Sequence, residues 1–219
     1  MLKRSVQYLF DLSGIFKLEK LRLKRKRMGS GSNIVKLNPK DNAGWFKAVH
    51  DAVKCLKSGG VIAVPTDTLY GLCTLIENSD RLYKLKKRSN GKPLGLFIND
   101  GEDVFSYAER SVPNGIVKSL FPGPVTLIFN RSQKLDTNFN CGTQSVGFRI
   151  PQARFVRDIC RFLPYRLIAQ TSANVSGTDL NPIHGGTILE NNMSRLGSTV
   201  VDLSLPGQFK ILRIQNDNY

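Results

Sequence analysis

From about residue 34 onward, helical and strand-like hydrophobic spacings alternate along the chain. Trp45, Phe46, Val49, Ala52, Val53 and Leu56 follow the three-and-four spacing of one helix face, with Asp41 or Asn42 ahead as a cap and Gly59-Gly60 behind as a stop. Val61 to Val64 is instead a short unbroken apolar run closed by Pro65, which predicts a buried strand. A helix capped by Ser79 follows, running through Leu82 and Leu85 to Lys87, and then a strand over 93–98. Further strands are predicted at 125–129, 145–150, 166–169, 198–203 and 209–213, with helices at 101–109, 114–121 and 152–163. Strands interleaved with helices predict an α/β fold, a sheet covered by helices.

Composition narrows the class. The 219 residues, 41% hydrophobic and 22% charged, suffice for one sizeable domain or two small ones with an ordinary core. No stretch approaches the roughly 18 consecutive apolar residues of a membrane-spanning helix, so no stable membrane insertion is expected. Four cysteines without a CxxC pair, and only two histidines, argue against a zinc site or a disulfide scaffold.

The net charge of +15 is unevenly spread. Residues 1–28 hold nine lysines and arginines against Asp11 and Glu19, interleaved with apolar residues such as Leu9, Phe10 and Ile15. Such a segment reads as an organellar transit peptide, a nuclear or polyanion-binding arm, or a solvated tail. Gly29-Ser30-Gly31-Ser32 then forms a flexible joint. Residues 1–32 are therefore taken as a leader and joint, and 33–219 as the folded domain, in the cytoplasm, the mitochondrion or both. The basic excess of the domain itself favours polyanions such as nucleotides or tRNA.

Five segments are richer in polar and turn-forming residues than their strand-adjacent positions require. Val64 to Leu72 (VPTDTLYGL) follows a buried strand, where hydroxyls and a carboxylate are placed to hold a small polar molecule or, equally, to bond their own turn. Leu85 to Pro93 carries Lys86, Lys87, Arg88 and Lys92, which either complement a helix C-terminus or bind a triphosphate, arginine as a fork and lysine as a point charge. Ala169 to Gly177 (AQTSANVSG) presents hydroxyls and amides two apart along an extended chain. Phe121 to Thr126 (FPGPVT) is a rigid turn into a strand, and Gly197 to Asp202 is a strand whose two hydroxyls have no evident core role. A P-loop, a GxGxxG fingerprint and an HExxH motif are all missing, so a nucleotide site would be of another kind.

In this order, PTDTLYGL, KKR followed by KPL, FPGPVT with VGFRIP downstream, TSANVSG and GSTVVDLS, the chain from about Asn42 to Arg213 resembles the YrdC-like family. These are the threonylcarbamoyl-adenylate synthases that begin the biosynthesis of N6-threonylcarbamoyladenosine in tRNA. The resemblance implies a twisted sheet of parallel and antiparallel strands with flanking helices and a basic concave face. It also implies a single-domain enzyme that joins L-threonine, bicarbonate and ATP, with Mg2+, into the adenylate and pyrophosphate and passes the product to a tRNA-modifying transferase. By resemblance, Lys86, Arg88, Ser172 and Asn174 form the catalytic tetrad. Arg88, Lys92, Ser145, Ser172 and Arg213 would contact ATP, while Thr68, Arg149, the backbone near Gln170, and Ser198 would hold threonine. No residue is assigned to a metal, since the carbamate oxygen would attack the α-phosphorus with Lys86, Arg88 and Mg2+ neutralising charge. Two departures stand out: Phe97 occupies a position where many relatives carry histidine, and Ile214-Gln215 replaces the usual Pro-Gly after Arg213. The competing reading is a non-catalytic protein that binds tRNA or double-stranded RNA through its basic surface.

Overall fold

The computed structural model describes residues 6–10, 33–86, 92–173 and 197–214. Helix α1 (Asn42–Lys57) begins where the Asp41 carboxylate accepts a hydrogen bond from the Gly44 amide at 2.9 Å, and Lys54 and Lys57 sit in its last turn beside the carbonyl end. It buries Trp45, Val49, Ala52, Val53 and Leu56 as the spacing predicts, and Ala48 with them. Phe46 departs from expectation: it is 54% exposed, because a residue next to Trp45 lies about 100° round the helix from it.

Ten strands form one sheet among the described residues: β1 (Val6–Phe10), β2 (Asn33–Leu37), β3 (Ile62–Val64), β4 (Gly71–Thr74), β5 (Gly95–Ile98), β6 (Val125–Asn130), β7 (Ser145–Arg149), β8 (Leu167–Ser172), β9 (Thr199–Asp202) and β10 (Lys210–Arg213). Their spatial order is β10-β9-β6-β7-β5-β8-β4-β3-β1-β2. The pairs β5/β7 and β6/β9 are parallel and the others antiparallel, giving the mixed sheet that the resemblance implies. Three strands went unread in the sequence: β2 at the start of the domain, β4, which overlaps the end of the PTDTLYGL motif, and β1, which lies within the basic leader and pairs with β2 and β3. The rest of residues 1–32 lies outside the described residues.

Side chains alternate across the sheet and build two cores. On one face, Leu96, Ile98, Leu127, Phe129, Val146 and Phe148 pack with Leu82 of α2 (Asp80–Lys86), Val104 of α3 (Val104–Tyr107) and Val117 of α4 (Asn114–Leu120). On the other face, α1 and α5 (Arg154–Arg161) cover Ile62, Val64, Cys73, Phe97 and Ile168. The two helices are joined by a buried hydrogen bond from Trp45 Nε1 to Asp158 Oδ2 at 2.9 Å and an edge-on contact of Trp45 with Phe155. Burial raises the pKa of both the Cys73 and the Cys160 thiol, and no disulfide joins the four cysteines.

This second face is only half covered. Beyond β5, positions Ser145 and Gly147 on β7 and Thr126, Ile128 and Asn130 on β6 share the α1/α5 side but are only partly buried. They form an open floor beside the helical layer.

Candidate functional site

The site is assembled where the loop between β3 and β4 meets this floor. Thr66, buried beneath the loop, donates its hydroxyl to the Leu69 carbonyl at 2.7 Å and accepts the Thr68 amide at 3.0 Å, so the loop bonds itself as a turn and also presents Asp67 and Thr68. The segment is thus a turn that bonds its own backbone, as one of its two readings expects. Arg149, at the end of β7, engages the loop: Nη1 donates to Thr68 Oγ1 at 2.7 Å, Nη2 to Asp67 Oδ1 at 2.5 Å, and Nε to the Gly123 carbonyl at 3.4 Å. The arginine and aspartate side chains are 6% and 13% exposed, so this is a desolvated pair, and the second aspartate oxygen, Oδ2, is buried with no hydrogen-bond partner among the described residues.

A second guanidinium closes the opposite side. Arg213, on β10, donates from Nε to the Ser198 carbonyl at 2.9 Å and from Nη2 to Ser198 Oγ at 3.2 Å. Ser198 Oγ lies 2.7 Å from Thr126 Oγ1. Gly197 lets the Arg213 guanidinium lie close to the backbone: a Cβ there would meet it at 3.0 Å and displace it slightly. Burial lowers the pKa of Arg149 from its usual value, Asp67 opposes that shift, and the charge of Arg213 adds to it. Burial lowers that of Arg213 as well. Two partly desolvated guanidinium groups that disfavour one another, of which Asp67 pairs with Arg149, are suited to receive an anion.

The remaining expected residues divide. Lys86, buried at the end of α2, donates from Nζ to the Ser172 carbonyl at 2.8 Å, which joins the basic run to the third polar segment. Ser172 and Ser145 stand on the open side of β8 and β7, and Gln170 lies between Ser172 and the apolar Ile168 on the same face. Lys92 is exposed ahead of β5. Arg88 and Asn174 lie outside the described residues. Phe97 turns out to be core: it is 1% exposed, and a Cβ on Gly71 would meet its ring at 2.9 Å. Asp67, Thr66 and Thr126 had no individual role in the sequence reading. Only their place in the two motifs signalled them.

The Sua5/YciO/YrdC family model, described as telomere recombination, matches residues 54–214. The chain belongs to this family. It is 43% identical over 203 residues to a human threonylcarbamoyl-AMP synthase, covering 84% of this chain and 72% of that protein. A putative threonylcarbamoyl-AMP synthase of Methanocaldococcus jannaschii is 26% identical over 156 residues, covering 69% of this chain and 72% of that one. Among solved structures, P. abyssi Sua5 complexed with L-threonine superposes with a TM-score of 0.63 at 26% identity, over 77% of this chain and 54% of Sua5. This chain thus spans just over half the length of that Sua5. E. coli YciO, at 21% identity and a TM-score of 0.64 over 76% of this chain and 88% of its own, shares the fold. Family membership at this identity makes the chain an enzyme of nucleotidyltransferase type.

Proposed function

We propose that this enzyme forms L-threonylcarbamoyl-adenylate and pyrophosphate from L-threonine, bicarbonate and MgATP, supplying a transferase that makes N6-threonylcarbamoyladenosine in tRNA. The observation that carries the reading is the pairing of Arg149 and Arg213 around Thr68 and Ser198. An amino-acid carboxylate suits an arginine fork, and hydroxyl partners suit a hydroxylated side chain. That a relative, P. abyssi Sua5, is known with L-threonine supports the same substrate. In this reading Thr68, Arg149, Ser198 and the backbone near Gln170 hold threonine, while Ser145, Ser172, Arg213, Arg88 and Lys92 hold ATP, with Lys86 and Asn174 completing the catalytic set.

The chemistry follows from charge. Threonine's neutral amine condenses with bicarbonate to a carbamate as water is lost, the carbamate oxygen attacks the α-phosphorus, and the bond to the bridging oxygen of the β-phosphate breaks as pyrophosphate leaves. Both partners are anions, so cations that hold them in line lower the barrier without a covalent intermediate on the protein. Magnesium enters with ATP, coordinated by its phosphates. The compartment this reading implies is the cytoplasm or the mitochondrion, with the basic leader as the address or as a contact for RNA.

The test is pyrophosphate release by the full chain with each substrate left out in turn. Release should require threonine and bicarbonate together, and release indifferent to threonine would overturn the reading. Arg88→Lys keeps the charge but loses the fork, so turnover should fall about ten- to a hundredfold, the worth of one charge-assisted contact.

A further inference from the structure

Three strands meet in one row on the open face. In the register, Gly147 of β7 lies beside Gly95 of β5, and Gly95 beside Gln170 of β8. Neither glycine carries a side chain, so over the width of two strands, about 10 Å, the floor is covered only from its neighbours: Thr126 Cγ2 and Ile128 Cγ1 lean over Gly147, 3.0 and 3.7 Å from where its Cβ would sit. The Gln170 carboxamide reaches into that space: a Cβ built on Gly95 would meet its Nε2 at 2.5 Å and the Gly147 carbonyl at 3.4 Å. Among the described residues the amide makes no hydrogen bond, and Gln170 is only partly buried.

Its neighbours define what it faces. One step along β7 from Gly147 is Arg149, whose guanidinium is held by the loop between β3 and β4. One step along β8 from Gln170 is Ser172, which pairs with Gly71 at the end of that same loop. The Gly147–Gly95–Gln170 row therefore lies between the amino-acid anchor and the position read as meeting ATP phosphates. An amide offers two N–H donors and carries no charge of its own to be compensated. Neutral donors aimed where negative charge gathers stabilise a transition state without holding either anion too tightly beforehand.

We propose that the side-chain carboxamide of Gln170 is a catalytic residue that donates hydrogen bonds to the carbamate and α-phosphate oxygens as they join, with Gly95 lacking a side chain so that the amide fits. This rests on the threonylcarbamoyl-adenylate reading and adds to it a donor at the reacting centre.

The experiment compares the wild-type chain with Gln170→Ala, Gln170→Glu, Gly95→Ala and the double variant Gly95→Ala/Gln170→Ala. Each is assayed for threonine- and bicarbonate-dependent pyrophosphate release, with its thermal midpoint. Gln170→Ala should lower kcat about ten- to a hundredfold and change the threonine KM less than about threefold. Gln170→Glu, the same size but an acceptor with a charge that repels both anions, should fall further. Gly95→Ala should push the amide aside and lose about as much as Gln170→Ala, and the double variant should lose no more than either, since both act through one group. Full turnover in a folded Gln170→Ala, or losses that multiply in the double variant, would overturn the proposal. A wild-type chain without threonine-dependent release would instead overturn the reading beneath it, so the two failures are told apart.

Discussion

Asp67 is the residue on which the proposed amino-acid anchor turns. Its carboxylate neutralises Arg149 and fixes the fork against Thr68, yet one of its oxygens is buried without a hydrogen-bond partner among the described residues. Removing one member of a buried pair leaves the other uncompensated, at a cost of about 3–5 kcal/mol. Asp67→Ala should therefore lower the thermal midpoint by roughly 6 °C or more, at about 2–4 °C per kcal/mol for a chain of this size. It should also weaken threonine binding in calorimetry, because the freed guanidinium is no longer held toward its ligand. An unchanged midpoint would show that the pair is not desolvated in solution. The sequence displayed Asp67 only as a motif letter. Its partner stands far along the chain, and no periodicity links a loop carboxylate to a strand-end arginine. Thr68, Arg149, Ser198 and Arg213 were legible through resemblance, and their mutual bonding became visible only with the fold.

At the scale of elements, a clear pattern mattered more than length: the short β3 is legible from its unbroken apolar run, while β1, β2 and β4 are not. α1 declared itself because its apolar residues sample a helix face over four turns. β4 covers only Gly71–Thr74, too short for alternation to be seen, and is buried at every position, so its pattern is not that of a half-exposed strand. β8 continues through Gln170 and Ser172, where polar side chains replace apolar ones as the strand passes from the helical layer to the open floor. The contact of α1 with α5 has its own signature, the hydrogen bond from Trp45 Nε1 to the buried carboxylate of Asp158. Asp158→Ala should leave that indole N–H unsatisfied and cost about 1–3 kcal/mol, read as a denaturation midpoint shifted at constant slope. Both helices lie beside the floor rather than on it, so the same variant should keep its threonine KM.

Across the whole molecule, the site draws its residues from nearly the full length of the folded chain, from the loop after β3 to the last described strand. A family pattern that preserves segment order over residues 54–214 is therefore a pattern about one surface. The strand that brings Arg213 to that surface is also one of the sheet's two edges: among the described residues β10 pairs only with β9, its register slips between Ile211 and Arg213, and all four of its residues are exposed. An edge so lightly attached opens more readily than the centre of the sheet. Its amides should exchange with solvent deuterium well before those of β5 and β8, and threonine together with MgATP should slow that exchange selectively, since any ligand of Arg213 binds only the closed edge. Exchange on β10 that ignores both ligands would separate Arg213 from the site. A fold that hangs one arginine of its candidate site on an edge strand makes the readiness of that corner a local equilibrium, one that a ligand can shift without the rest of the sheet taking part.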